Sequence, residues 1–227
     1  TAGTFGLLVQ RNGSPFILSN NHVLADSNAA RIGDPIYQPG PADGGTASDR
    51  IAALAEYAPL DFGDTPSQCR IADSIATWLN FFARLTGSSH RLQPVQQTSG
   101  INTMDAALAQ PDAPDLVTPE VLGLGLPTGV GTPTLGAQVQ KMGRTTGLTY
   151  GYITQIDVTV NVNFGTRTAR FADQVITTSM SSPGDSGSGI LDMDRRAVGL
   201  LFAGSTTVTI FSPIQRVLDY FGVELVL

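Results

Sequence analysis

Residues 182–189 read Ser-Pro-Gly-Asp-Ser-Gly-Ser-Gly. A short strand pattern at 173–178 leads into this stretch and another, 188–191, leaves it. A serine hydroxyl is a poor nucleophile unless a base removes its proton and donors hold the resulting oxyanion. Glycines on both sides of Ser186 let the backbone bend sharply and keep the hydroxyl accessible. In such a bend Gly184 can turn its N–H toward the same point as the N–H of Ser186, which makes a two-donor oxyanion hole. Taken alone, the stretch also reads as a plain Gly/Ser-rich turn, so its partners decide.

Only two histidines are available as a base. His22 follows a strand pattern in Leu18-Ser19-Asn20-Asn21-His22-Val23-Leu24, whereas His90 lies in the polar loop Gly87-Ser88-Ser89-His90-Arg91. The third element is Asn102-Thr103-Met104-Asp105-Ala106-Ala107-Leu108-Ala109. An acidic residue entering an apolar strand is costly to bury without a partner. Asp105 reads either as an exposed loop residue or as a buried carboxylate that holds a histidine's tautomer and stabilises the imidazolium. The order His22, Asp105, Ser186 places one partner in the first half of the chain, one in the middle and the nucleophile in the second half.

The rest of the chain predicts many short strands. Gly 25 and Pro 14 in 227 residues supply turn signals throughout. Residues 5–9 and 15–18 read as strands around Arg11-Asn12-Gly13, because Asn-Gly favours positive φ. Ala42-Asp43-Gly44-Gly45 marks another turn, and 51–57 a strand. In 149–164 the alternation puts Ile156, Val158, Val160 and Val162 on one face; strands at 197–203 and 207–211 follow. Residues 71–86 differ. Ile71, Ile75, Trp78, Leu79 and Phe82 recur at helical spacing and Gly87 would stop the helix; its stripe is expected to pack on the β-structure, the other reading being a partner-binding or substrate-gating element. A second helix is expected at 213–221, with Ser212 as N-cap, Pro213 at its first position and Gly222 as stop.

Composition excludes several classes. Apolar residues are 41% and charged residues only 14%, the reverse of a disordered chain. The net charge of −6 and the lack of a Lys/Arg cluster argue against nucleic-acid binding. No apolar run approaches the ~20 residues of a membrane span. No zinc, phosphate-loop or dinucleotide pattern occurs, so no metal or cofactor is expected. Asp192-Met193-Asp194 is followed by Arg195-Arg196 and reads as a solvated hairpin turn. The lone Cys69 permits no internal disulfide. The chain shows neither an initiator Met nor a signal peptide; a soluble, disulfide-free domain is expected, with Thr1 as a processed or cut end and the compartment open.

These segments resemble the chymotrypsin-fold, trypsin-like serine proteases of bacterial type. PFILSNNHVLA resembles the strand leading into that family's catalytic histidine, with Asn where most members have small residues. NTMDAALA resembles the segment carrying the aspartate, and SPGDSGSGIL the nucleophile loop, with Ser188 in place of the more frequent second glycine. AVGLLFAGS resembles the strand lining the substrate cleft. Gly143-Arg144-Thr145-Thr146-Gly147, followed by Gly151, resembles the α-lytic/streptogrisin branch. A weaker similarity is to plant narrow-leaf type trypsin-like proteins. The resemblance spans about residues 4–222.

It implies an all-β fold of two six-stranded antiparallel β-barrels in a single domain, 1–227. The N-terminal barrel would span about 4–115, the C-terminal barrel about 130–211, and the terminal helix about 213–221. Ser186 would be the nucleophile, His22 the general base and then acid, and Asp105 its orienter. Gly184 and Ser186 would supply the oxyanion N–H groups. Arg144 would pair with Asp185 and order the loop. Met180 would sit at the base of the specificity pocket, where trypsin-like members carry an acid. Leu201, Phe202, Ala203 and Gly204 would form the cleft strand, with Phe202 replacing a serine that supports the catalytic aspartate. The implied activity is endopeptidase hydrolysis of peptide or protein substrates. Two other readings stay open: a dormant protease awaiting a partner or self-assembly, and a catalytically silent peptide-binding module.

Overall fold

Asn12 and Gly13 take φ of 51° and 78° and fold β1 (Leu7–Arg11) onto β2 (Ser14–Ser19). The computed structural model describes residues 2–66, 69–87, 92, 94–97 and 100–227; His90 lies outside them. Beyond β2 come α1 (Asn21–Leu24), β3 (Pro35–Tyr37), β4 (Arg50–Tyr57) and β5 (Asp64–Pro66). Then follow α2 (Arg70–Leu85), β6 (Val95–Gln97), β7 (Ala107–Pro111) and β8 (Gly129–Val130). The second half holds β9 (Gln138–Gly143), β10 (Gly147–Phe164), β11 (Arg167–Thr178) and β12 (Gly189–Asp192). The chain closes with β13 (Arg196–Gly204), β14 (Val208–Pro213), α3 (Ile214–Phe221) and β15 (Glu224–Leu225).

The fold is mostly β, in two main sheets. The first runs β15-β1-β2-β7-β4-β3, so the C-terminal β15 joins the N-terminal sheet through Val9↔Leu225. The second runs β9-β10-β11-β14-β13, and β12 pairs with both β9 and β13, which closes a ring of six antiparallel strands. Strand β8 adds in parallel outside β13. One apolar cluster joins Leu7, Leu18 and Leu108 of the first sheet to Leu191 and Leu200 of the second, with Val217 and Phe221 of α3. Burying each such side chain contributes about 1.5–3 kcal/mol. The cleft described below therefore stands on a shared core.

Three expectations need correction. Ser212 does not cap α3. Strand β14 continues through it (Leu200↔Ser212), and its Oγ donates to Gln174 Oε1 at 2.8 Å. The chain turns at Pro213 instead, while Gly222 at φ 61° stops the helix as expected. Helix α2 forms, but Ile71, Ile75, Trp78 and Leu79 are exposed; its flanking strands β5 and β6 pair with each other rather than with either main sheet. In β10, Ile156 is exposed while Val158, Val160 and Val162 are partly buried. Register shifts around Asp157, at φ 53°, exchange the two faces. The acidic turn is a hairpin closed by Arg196–Asp192 at 2.7 Å.

Candidate active site

His22 sits in α1, directly after β2, where two asparagines anchor the chain. Buried Asn20 donates through Nδ2 to the Asp105 carbonyl at 2.7 Å. Buried Asn21 donates to the Ala58 carbonyl at 2.7 Å and exchanges bonds with Asn28. Side-chain amides supply both donors and acceptors, which small residues could not. Asp105 precedes β7 and is fully buried between Met104 and Ala106. Its Oδ2 lies 2.6 Å from His22 Nδ1, and its Oδ1 accepts the His22 backbone N–H at 3.2 Å. Among the described residues only His22 bonds this carboxylate; Phe202 instead packs on Phe171, with ring centroids 4.7 Å apart.

Ser186 lies on the loop between β11 and β12, half-buried. It lines the same cleft, of about 770 Å³, as His22. No Ser186 Oγ–His22 hydrogen bond is formed among the described residues, and such bonds commonly tighten only around substrate. The loop is built around Gly187 and Ser188. Gly187 has φ 93°, and a β-carbon there would fall 2.1 Å from Ser19 Oγ. Ser188 fits because its Oγ donates to the Asp185 carbonyl at 2.6 Å. Neither the Gly184 nor the Ser186 N–H is spent on another bond among the described residues.

Arg144 does not pair with Asp185. Its guanidinium reaches outward to Asp43, with Nε–Oδ2 at 2.8 Å. Asp185 faces inward and is paired with Lys141 of β9, at 3.2 Å, both side chains fully buried. Lys141 also donates to Thr146 Oγ1 and to the Gly147 carbonyl at 3.1 Å. The GRTTG segment contributes through Thr145 and Thr146, whose N–H groups donate to Asp185 Oδ1 at 2.8 and 3.1 Å. A β-carbon at Gly143 would fall 2.4 Å from that same oxygen. Burial pulls the Lys141 ammonium below the usual lysine range, and Asp185 restores part of this.

For Asp185, burial alone would raise the pKa. Bonds from Thr146 Oγ1 and from the N–H groups of Ser182, Thr146 and Thr145 outweigh it and hold the carboxyl below its usual range. Such a group stabilises the fold above its unfolded pKa of about 3.9 and loses that contribution as pH falls through the folded value. Melting temperatures should therefore drop steeply below about pH 4. Asp185→Asn should flatten that acid limb, and parallel limbs in both proteins would refute the coupling.

The profile of the trypsin-like peptidase domain matches residues 3–200. The chain belongs to the trypsin-like peptidase family. Solved structures agree on the fold. Thermobifida fusca protease A is 19% identical with a TM-score of 0.61, covering 99% of this chain and 91% of that one. Cellulomonas bogoriensis chymotrypsin is 18% identical at 0.57, covering 98% and 89%. Nocardiopsis protease is 16% identical at 0.59, covering 99% and 97%. A comparison with curated protein sequences returns no match.

In this trypsin-like peptidase the cleft wall includes Leu201, Phe202, Ala203 and Gly204 of β13. Met180 is not at the base of the cleft. It is buried in the core of the second barrel with Val139 and Ile153, and Ser179 and Ser181 line the cleft instead. Strand β11 ends at Thr178, so counting back from Ser186 loses the strand parity. Phe164, from the β10–β11 hairpin, stands edge-on to the His22 ring at 5.7 Å. No α-helix among the described residues is long and apolar enough to cross a membrane.

Proposed function

We propose that this chain is a serine endopeptidase working through an acyl-enzyme intermediate. The observation that carries this reading is the 2.6 Å contact of His22 Nδ1 with buried Asp105, at the wall of a cleft shared with Ser186. Ser186 Oγ attacks the scissile carbonyl while His22 Nε2 takes its proton, then returns it to the leaving amine. Water activated by His22 next hydrolyses the ester. Asp105 keeps the proton on Nδ1 and stabilises the imidazolium, and the N–H groups of Gly184 and Ser186 hold the oxyanion. Residues 1–227 act as one catalytic domain, the first half bringing His22 and Asp105 and the second Ser186. Treatment with a fluorophosphonate should add one phosphonyl group to the intact mass of the parent and none to Ser186→Ala. A well-folded parent that is neither labelled nor active on peptides would sink the reading.

The substrate class follows from the cleft wall. An extended peptide would pair with the backbone of Leu201–Gly204. Beside it stand Ser179, Ser181 and Ser205, and no Asp, Glu, Lys or Arg lines the cleft among the described residues. A charged side chain buried there would lack a counter-charge. Small or medium uncharged residues should therefore lead a profiled peptide library before the cleaved bond. A strict basic or acidic preference would overturn this.

A further inference from the structure

The serine-peptidase reading leaves one question: what keeps the oxyanion donors aimed? The structure assigns that task to two positioning residues, Thr145 and Thr4, whose hydroxyls clamp the carbonyls on either side of Gly184. Thr145 Oγ1 donates to the Pro183 carbonyl at 2.8 Å. Thr4 Oγ1 donates to the Gly184 carbonyl at 3.0 Å. In a trans peptide the C=O and N–H point opposite ways. Pinning the Pro183 carbonyl to Thr145 therefore directs the Gly184 N–H away from Thr145, leaving it for a ligand in the cleft.

The clamp is needed because Gly184 has φ of 99°, and glycine visits both signs of φ readily. The 183–184 peptide is thus free to turn over unless something holds it. The fit is close: a β-carbon on Gly184 would lie 2.3 Å from Thr145 Oγ1. Both threonines are themselves anchored. The Thr145 N–H is bound to Asp185 Oδ1, so the buried carboxylate sets its position. The Thr4 N–H donates to the Ser186 carbonyl at 2.8 Å, and its own carbonyl accepts from Ser19 Oγ at 2.8 Å. Thr4 Oγ1 also accepts the Arg144 N–H at 3.0 Å. Ser19 ends β2, just ahead of His22, so Thr4 ties the histidine strand to the nucleophile loop.

The inference rests on the proposed activity, and its test separates the two. Thr145→Val and Thr4→Val, singly and together, are compared with Thr145→Ser and Thr4→Ser in the full chain. Three quantities are read: fluorophosphonate labelling rate, kcat and KM on a peptide substrate, and hydrogen exchange of residues 180–189. Deleting an oxyanion donor outright costs about 10²–10³ in kcat, so each valine should lower kcat and labelling about ten- to a hundred-fold. KM should stay within about threefold, since ground-state binding is untouched. Exchange in 180–189 should quicken in the valine variants, and the serines should restore every quantity. Valine variants that label, turn over and exchange like the parent would overturn the clamp, as would a loss that serine does not rescue. If the parent itself proves inert, the serine-peptidase reading falls alone. Faster exchange confined to 180–189 in the valine variants then still supports the clamp, and unchanged exchange refutes it.

Discussion

Asp105→Asn is expected to lower kcat about 10⁴-fold while leaving the fold intact. The direction follows from two hydrogen bonds. Asp105 Oδ1 accepts the His22 backbone N–H, and Oδ2 faces His22 Nδ1 at 2.6 Å. An asparagine keeps the first bond only if its oxygen takes the Oδ1 place. Its NH₂ group then faces Nδ1 and must donate. That forces the imidazole proton onto Nε2, where it blocks acceptance of the Ser186 proton. No hydroxyl from position 202 offers the amide another partner, because Phe202 stands there. The loss corresponds to about 5.5 kcal/mol of transition-state stabilisation. Steady-state kinetics and a thermal melt on the same sample check it. A variant that folds and keeps more than about a tenth of the parent's kcat would remove Asp105 from the mechanism.

Legibility in the sequence followed the chemistry. Motifs that need a particular residue type at a particular place were readable: glycine beside Ser186, a carboxylate entering an apolar strand, and Asn-Gly at the first hairpin. The barrel strands were readable from alternation wherever the alternation ran unbroken. It failed where geometry shifts parity without changing composition. The bulges near Asp157 moved Ile156 to the solvent face, and the end of β11 at Thr178 sent Met180 into the core. The apolar stripe of α2 announced a helix correctly, but periodicity says only that a face is apolar, not what lies against it. The expected Arg144–Asp185 pair rested on the resemblance of the GRTTG motif, and the buried partner is Lys141. A physical signal for the lysine was present. In Gln138-Val139-Gln140-Lys141, a period of two puts Lys141 on the same face as Val139, and a cation on a core face needs a buried anion.

The buried pairing of Asp185 with Lys141 carries the second large expected effect. Lys141→Met should destabilise the protein by about 3–5 kcal/mol, because it leaves the Asp185 carboxylate buried without its counter-charge. At about 2–4 °C per kcal/mol for a chain of this size, the melting temperature should fall by roughly 6–20 °C. Arg144→Ala should cost no more than about 1 kcal/mol, since its pair with Asp43 is about one-third exposed on each side, 37% and 32%, and screened by solvent. Methionine matches the lysine stem in length, so the substitution removes the charge while keeping most of the packing. Asp185 also holds the N–H groups of Ser182, Thr145 and Thr146, so a carboxylate driven from its place should slow Ser186 chemistry as well. Adding Asp185→Asn to Lys141→Met should recover part of the lost stability, because the unpaired charge goes with it. Denaturant midpoints over this double-mutant cycle give the coupling directly. If Arg144→Ala proved as damaging as Lys141→Met, the loop would be ordered from the surface and not from the buried pair.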